Sequence, residues 1–110
     1  MDITTFDKIV LFWHQRIDEL LLQKGIEYAR IDRLSNFKQI AKMRSILPED
    51  ALIALVSKQW VSILDMVKDL DNGTDVVPHN VWREKIGDVI VYMILLDALV
   101  SERYDKCLLM

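Results

Sequence analysis

The predicted fold depends most on residues 81–103, VWREKIGDVIVYMILLDALVSER. Residues 89–96 at its centre are eight consecutive apolar or aromatic residues, and the whole stretch would make a helix roughly 34 Å long. Such a run predicts a helix that is apolar on nearly all sides and is therefore central and buried. A membrane span needs about 20 apolar residues. Because Asp88 and Asp97 bracket the shorter run, we expect burial against protein and no membrane partner.

The composition predicts one all-α domain covering residues 1–110. The chain is 52% hydrophobic and has only three Gly and two Pro, which argues against disorder and against a turn-rich β fold. A net charge of -3 argues against nucleic acid as a partner, because nonspecific affinity comes from neutralising many phosphates. A single cysteine, Cys107, and an N-terminus without a signal-peptide pattern indicate a reducing, cytoplasmic location.

Three further helices are predicted before the hydrophobic one. The first follows a cap at Thr4 or Thr5 and ends at Gly25, and the second spans residues 36–46 after a cap at Ser35. The third begins at Pro48, and its predicted core stripe is Leu52, Leu55, Val56, Trp60, Ile63, Leu64 and Val67. If Trp60 is buried in this way, its truncation to alanine costs about 3–5 kcal/mol. Four helices with short links predict a compact four-helix bundle with the hydrophobic C-terminal helix at its centre.

Apolar residues outside these stripes predict a homodimer. Leu11, Phe12 and Leu22 lie off the inward stripe of the first helix. Together with the hydrophobic fourth helix, they offer more apolar surface than a four-helix monomer of this size readily covers.

Glu84 and Asp88 are the first candidate site residues. They lie one helical turn apart on one face, which Tyr92 continues. Two carboxylates about 6 Å apart repel by roughly 3 kcal/mol at an effective dielectric constant of 20, so they favour a cation such as Mg²⁺, with Glu27 and Asp32 as further ligands. The alternative is an ordinary helix surface, on which Glu84 interacts with the helix dipole and the neighbouring basic residues pair.

Basic residues provide candidate phosphate ligands. Arg30 and Arg33 adjoin Glu27 and Asp32 in sequence, and Lys58 of the third helix could join them. Acids that hold a metal beside arginines that grip phosphate oxygens are what a metal–triphosphate site requires. The alternative is that the basic segment of residues 30–44 is solvated surface.

A set of short motifs at long intervals supports the same chemistry. The motifs are Lys24-Gly25-x-Glu27-Tyr28, Asp32-Arg33-Leu34-x-Asn36-Phe37, Pro48-Glu49-Asp50-Ala51, Lys58, Trp82-x-Glu84-Lys85-Ile86-Gly87-Asp88, Tyr92 and Leu95-Leu96. This order resembles small phage-encoded helical proteins of unassigned function. Those proteins are similar in turn to the all-α nucleoside triphosphate pyrophosphatases of the MazG and dimeric dUTPase group.

The resemblance implies a dimeric helical bundle that holds Mg²⁺ with acids from two helices. It also implies hydrolysis of a nucleotide between its α- and β-phosphates by metal-activated water. The ExxD element of that group falls on the turn ending at Asp88, but Lys85 stands three residues before it and the acid is Glu84. The upstream ExxE element is missing, and Ser62 and Asp65 do not reproduce it.

Two functions follow as hypotheses. The first is a phage or prophage nucleotide-binding protein, with Mg²⁺-dependent pyrophosphohydrolase activity as its chemistry. The alternative is a non-catalytic phage protein that binds a host protein through the basic segment or an apolar patch. Its binding would survive chelation of divalent ions.

Overall fold

The structure is a computed structural model that describes residues 1–27, 34–73 and 77–104, without the side chains of residues 24–27. The described residues form helices and no strand, which confirms the all-α class. The helices are α1 (Ile3–Glu27), α2 (Ser35–Arg44), α3 (Pro48–Asp71) and α4 (His79–Tyr104). The chain divides into two compact units, residues 1–33 and residues 34–110.

The first unit contains α1, whose two ends differ from the predicted ones. The Asp2 carboxylate accepts a hydrogen bond of 2.7 Å from the backbone N–H of Thr5, so the side chain that caps the helix is that of Asp2 and not that of Thr4 or Thr5. This hydrogen bond lowers the pKa of the Asp2 carboxyl. At the other end α1 continues through Gly25 to Glu27. The predicted end at Gly25 is therefore wrong, since an internal glycine costs a helix only about 1 kcal/mol.

The second unit begins with α2, which is shorter than predicted. Leu34 stands at the N-cap position without a capping side chain, so the predicted cap at Ser35 is wrong. The helix ends where Ser45 adopts the left-handed conformation, with φ of 55° and ψ of 45°. The Ile46 N–H then donates to the carbonyl of Ala41 at 3.0 Å. This bond satisfies one of the carbonyls that a helix end leaves unpaired.

The core of the second unit lies where α2, α3 and α4 meet. It is formed by Leu34, Phe37, Leu52 and Leu99, and Leu52 is fully buried. The half-buried residues packed against this cluster are Leu55, Tyr92, Leu95, Leu96 and Ala98. Ion pairs between Glu49 and Arg103 and between Lys38 and Glu102 join the three helices at their surface. This end of the unit therefore combines apolar packing with charge pairing.

The third helix has the predicted start and a different buried face. Pro48 occupies its first turn and Glu49 and Asp50 follow, as expected. Three residues of the predicted core stripe are exposed, namely Trp60 at 49%, Leu64 at 56% and Val67 at 48%. The buried residues of α3 are Ala51, Leu52, Val56 and Met66. The helix is apolar around much of its circumference, so the period of the sequence does not fix which arc is buried.

The fourth helix begins and ends within two residues of the predicted bounds. Gly87, Val91 and Leu99 are buried. Burial on nearly all sides, however, is wrong: Ile86, Met93 and Ile94 are exposed at 37%, 38% and 39%. Among the described residues, no helix has the length and the continuous apolar character needed to cross a membrane.

Candidate functional site

The acidic pair Glu84 and Asp88 lies in the N-terminal half of α4. Glu84 is exposed and Asp88 is half-buried, while Gly87 and Val91 beside them are buried. The pair thus stands at the edge of the face that packs inward. Side chains four residues apart on a helix have Cβ atoms about 6 Å apart, which allows both carboxylates to approach one small ion.

The chemistry of the donor set is compatible with Mg²⁺ as a partly hydrated ion. Among the described residues, no group of three or more His, Cys, Asp or Glu side chains converges as a metal site. Magnesium is commonly held in proteins by one or two carboxylates, with waters and substrate phosphates completing its octahedron. Glu84 and Asp88 supply two such oxygen ligands. The side chain of Glu27 and the whole of Asp32 lie outside the described residues, so their part in the shell stays a prediction.

The candidate phosphate ligands are only partly described. Lys58 is exposed near the middle of α3. Within the described part of the chain, it forms no ion pair with Glu84 or Asp88. Arg30 and Arg33 lie outside the described residues. The structure therefore places the two acids one turn apart in α4 and leaves the phosphate-binding set as a prediction.

The basic segment of residues 30–44 is partly neutralised. The ammonium of Lys38 lies 2.9 Å from a carboxylate oxygen of Glu102 on α4. Lys42 and Arg44 in the last turn of α2 are exposed. Because one of its cations is already matched by an acid, this segment presents less free positive charge than the sequence indicates.

A shallow apolar depression runs along α1. Phe6 is 57% exposed and Val10 is 38% exposed, and the ring of Trp13 packs edge-on against that of Phe12 with centroids 5.1 Å apart. The depression is lined by residues spaced three and four apart on one helix face, namely Phe6, Ile9, Val10, Trp13, His14 and Ile17. This spacing is typical of one face of an amphipathic helix. Such a face suits an amphipathic partner helix.

A second exposed apolar surface lies on α3. Three of its members, Trp60, Leu64 and Val67, belong to the core stripe that the sequence predicts. We call this surface the outer face of α3; its members are Ile53, Trp60, Val61, Leu64 and Val67, exposed by 45–58%. It adjoins the buried arc of α3, which packs against α2 and α4. The sequence contains one indication of this exposed surface. The apolar residues of α3 are too many to lie all on the side of the helix that packs against its neighbours.

Comparisons with known proteins identify no relative. The chain matches no protein-family model, and neither a curated protein nor a solved structure is significantly similar to it. The likeness to the all-α pyrophosphatases therefore rests on the motif residues in the sequence. Any function must be argued from the residues and surfaces of the chain itself.

Proposed function

We propose that this chain binds a nucleoside triphosphate together with Mg²⁺ and hydrolyses it to a monophosphate and pyrophosphate. The observation that supports the proposal is the pair Glu84 and Asp88, which lies on one face of α4 with Glu84 exposed and Asp88 half-buried. Lys58, Arg30 and Arg33 are the proposed phosphate ligands. The motif resemblance supports the same chemistry and a phage or prophage source in a host cytoplasm.

The residues of the chain have defined roles in this proposal. When bound, Mg²⁺ neutralises phosphate charge and activates water for attack on phosphorus. Glu84 and Asp88 hold and orient the metal–nucleotide complex through their carboxylate oxygens. The basic side chains bind the oxygens of the phosphate chain, and arginine can do so in a bidentate manner. A homodimer, predicted from the excess apolar surface, belongs to the same proposal.

Isothermal titration with nucleoside triphosphates, in Mg²⁺ and again in EDTA, tests the proposal. We expect heat of binding in Mg²⁺ that is lost in EDTA, followed by the appearance of monophosphate and pyrophosphate. Binding without products would support nucleotide binding and contradict hydrolysis. Absence of binding in both conditions would contradict the proposal that this chain binds a nucleoside triphosphate.

A second candidate function is favoured by the depression on α1. An apolar helix face of this length, exposed at Phe6 and Val10, is suited to bind a partner protein, here a host protein. This function requires no metal, because apolar burial supplies the affinity. Binding of the partner protein would also not need the basic segment, in which Lys38 is already paired with Glu102.

A matched pair of variants tests the partner-protein function. Phe6→Asp places a charge in the depression, whereas Leu22→Asp makes the same kind of change at a residue of α1 that is 68% exposed and lies outside the depression. A partner captured in EDTA by the wild type and by Leu22→Asp, but not by Phe6→Asp, would support this function. Equal capture by all three chains would contradict it.

A further inference from the structure

The outer face of α3 is a continuous apolar stripe along one helix. Ile53, Trp60 and Val67 are spaced seven residues apart, and Leu64 fills the turn between the last two. Helix geometry therefore aligns these four residues along one line, with Val61 beside it. All five are exposed by more than two-fifths. We propose that this face is the interface of a homodimer, in which α3 packs antiparallel against α3 of a second copy.

The apolar pattern is self-complementary about Trp60. In an antiparallel pair whose two-fold axis passes beside Trp60, each Trp60 meets the other. Ile53 of each chain then lies opposite Val67 of the other chain, and Ser57 lies one residue away from the level of Leu64 on the same flank. An interface with two-fold symmetry requires this property, because the same patch must complement itself. The pairing places the largest side chain at the centre, where energetically dominant interface residues concentrate.

The charges along the edge of the stripe fit the same arrangement. Asp50 and Lys68 are exposed, lie on the same flank of α3 and stand at nearly equal distances from Trp60 on either side. The antiparallel register that aligns the apolar residues brings each Asp50 to the same flank as a Lys68 of the second copy, within about 3 Å of it along the helix axis. A parallel pair would instead place like charges at the same level. The charge pattern thus selects a second copy of this chain, in one orientation.

The one polar residue within the stripe is already satisfied. The hydroxyl of Ser57 donates a 2.7 Å hydrogen bond to the backbone carbonyl of Ile53 in the preceding turn. Serine and threonine hydroxyls in helices commonly bond in this way. Burial of Ser57 in this interface would therefore leave no unpaired donor, which removes the usual cost of a polar group in an apolar interface.

This inference assigns the dimer of the proposed function to α3, whereas the sequence predicts it from apolar residues of the first and fourth helices. It rests on that dimer but on no property of the nucleotide site. Its test uses the full-length chain in sedimentation equilibrium over a range of concentrations. We expect a reversible dimer in the wild type. Trp60→Ala should raise the dissociation constant of the dimer at least about thirtyfold, the size of effect typical of a central aromatic interface residue.

Charge reversal tests the register itself. Asp50→Lys and Lys68→Asp should each weaken the dimer by roughly tenfold, because attraction at two symmetric positions becomes repulsion. The double variant Asp50→Lys/Lys68→Asp should restore wild-type affinity. An equimolar mixture of the two single variants should form a heterodimer, since each Lys then faces an Asp. Asp65→Lys, a charge reversal at an exposed residue of α3 outside the stripe, should leave the affinity unchanged.

The outcomes separate this surface from the dimer in general. Rescue by the double variant together with heterodimer formation supports the antiparallel α3 interface. A dimer that is insensitive to Trp60→Ala and to the single reversals forms through another surface, which overturns this inference and leaves the proposed dimer. A wild-type chain that is monomeric at every concentration overturns both the α3 interface and the proposed dimer. This holds whether the stripe is then covered by another part of the chain, by another protein or by solvent alone.

Discussion

Arg103 in the last turn of α4 donates two hydrogen bonds to the carboxylate of Glu49 in the first turn of α3. The bond from its Nη2 to Oε1 is 2.9 Å long. The side chain of Glu49 is only 18% exposed, and the pair closes the unit beside the buried cluster of Leu52 and Leu99. A two-point, charge-assisted contact of this kind fixes orientation better than a single ion pair. It therefore holds α3 and α4 in register.

The hydrogen bonds from Arg103 predict a pH-dependent stability. They lower the pKa of the Glu49 carboxyl below its ordinary value. Because the folded-state pKa lies below the unfolded one, the stabilisation is fully present above the unfolded pKa and is lost as the pH falls through the folded-state pKa. We expect Glu49→Gln to lower the thermal midpoint at neutral pH, and this difference to shrink as the pH falls below about 4, where an ordinary glutamate protonates.

Thermal unfolding of wild type and variant at a series of pH values measures this effect. Asp65→Asn is the matched control, because Asp65 is exposed on the same helix and should give a midpoint close to that of the wild type throughout. A difference between wild type and Glu49→Gln that stays constant from neutral to acid pH would show that the carboxylate charge is not the cause.

Leu52 and Trp60 should respond very differently to truncation. Leu52 is fully buried and Trp60 is 49% exposed. Leu52→Ala is expected to lower the free energy of unfolding by about 2–5 kcal/mol through the lost burial and the cavity left behind. Trp60→Ala should lower it by no more than about 1 kcal/mol when measured on the monomer. Urea unfolding at concentrations below the dimer dissociation constant measures both, and an equal loss would place Trp60 in the core.

Gln59 carries a buried polar atom that lacks a hydrogen-bond partner among the described residues. In the described part of the chain, its Oε1 is buried without a hydrogen-bond partner. A buried unpaired acceptor costs about 1–3 kcal/mol, so Gln59→Leu should leave the free energy of unfolding unchanged or raise it. The same change at the exposed Gln39 of α2 should stay within about 0.5 kcal/mol of the wild type. Clear destabilisation by Gln59→Leu in urea unfolding would indicate that Oε1 has a partner.

The sequence predicted the positions of the helices better than it predicted which side of each helix is buried. Pro48 with the two acids that follow it marks the start of α3 correctly, since proline suits a first helical turn and acids suit the positive end of the dipole. Gly25 misleads because glycine both ends helices and lies inside them at modest cost. Trp60 misleads for another reason. Hydrophobic periodicity identifies a buried arc only when the rest of the helix is polar.

The candidate site shows the same division. Spacing alone places Glu84 and Asp88 on one face of α4, because both belong to one helix. Their position at the edge of the packed face depends on how α4 lies on α3, which no local pattern specifies. The pairing of Lys38 with Glu102 joins residues far apart in the chain. It could not be predicted from the run of basic residues around Lys38.

Isothermal titration of nucleoside triphosphates in Mg²⁺ tests the site at Glu84 and Asp88 when it compares Asp88→Asn with Asp97→Asn. Both variants replace one acid of α4, but Asp97 is exposed beyond the proposed site and serves as the control. We predict binding by the wild type and by Asp97→Asn, and its loss in Asp88→Asn with unchanged helicity. Equal nucleotide affinity in all three chains would contradict the site at Glu84 and Asp88.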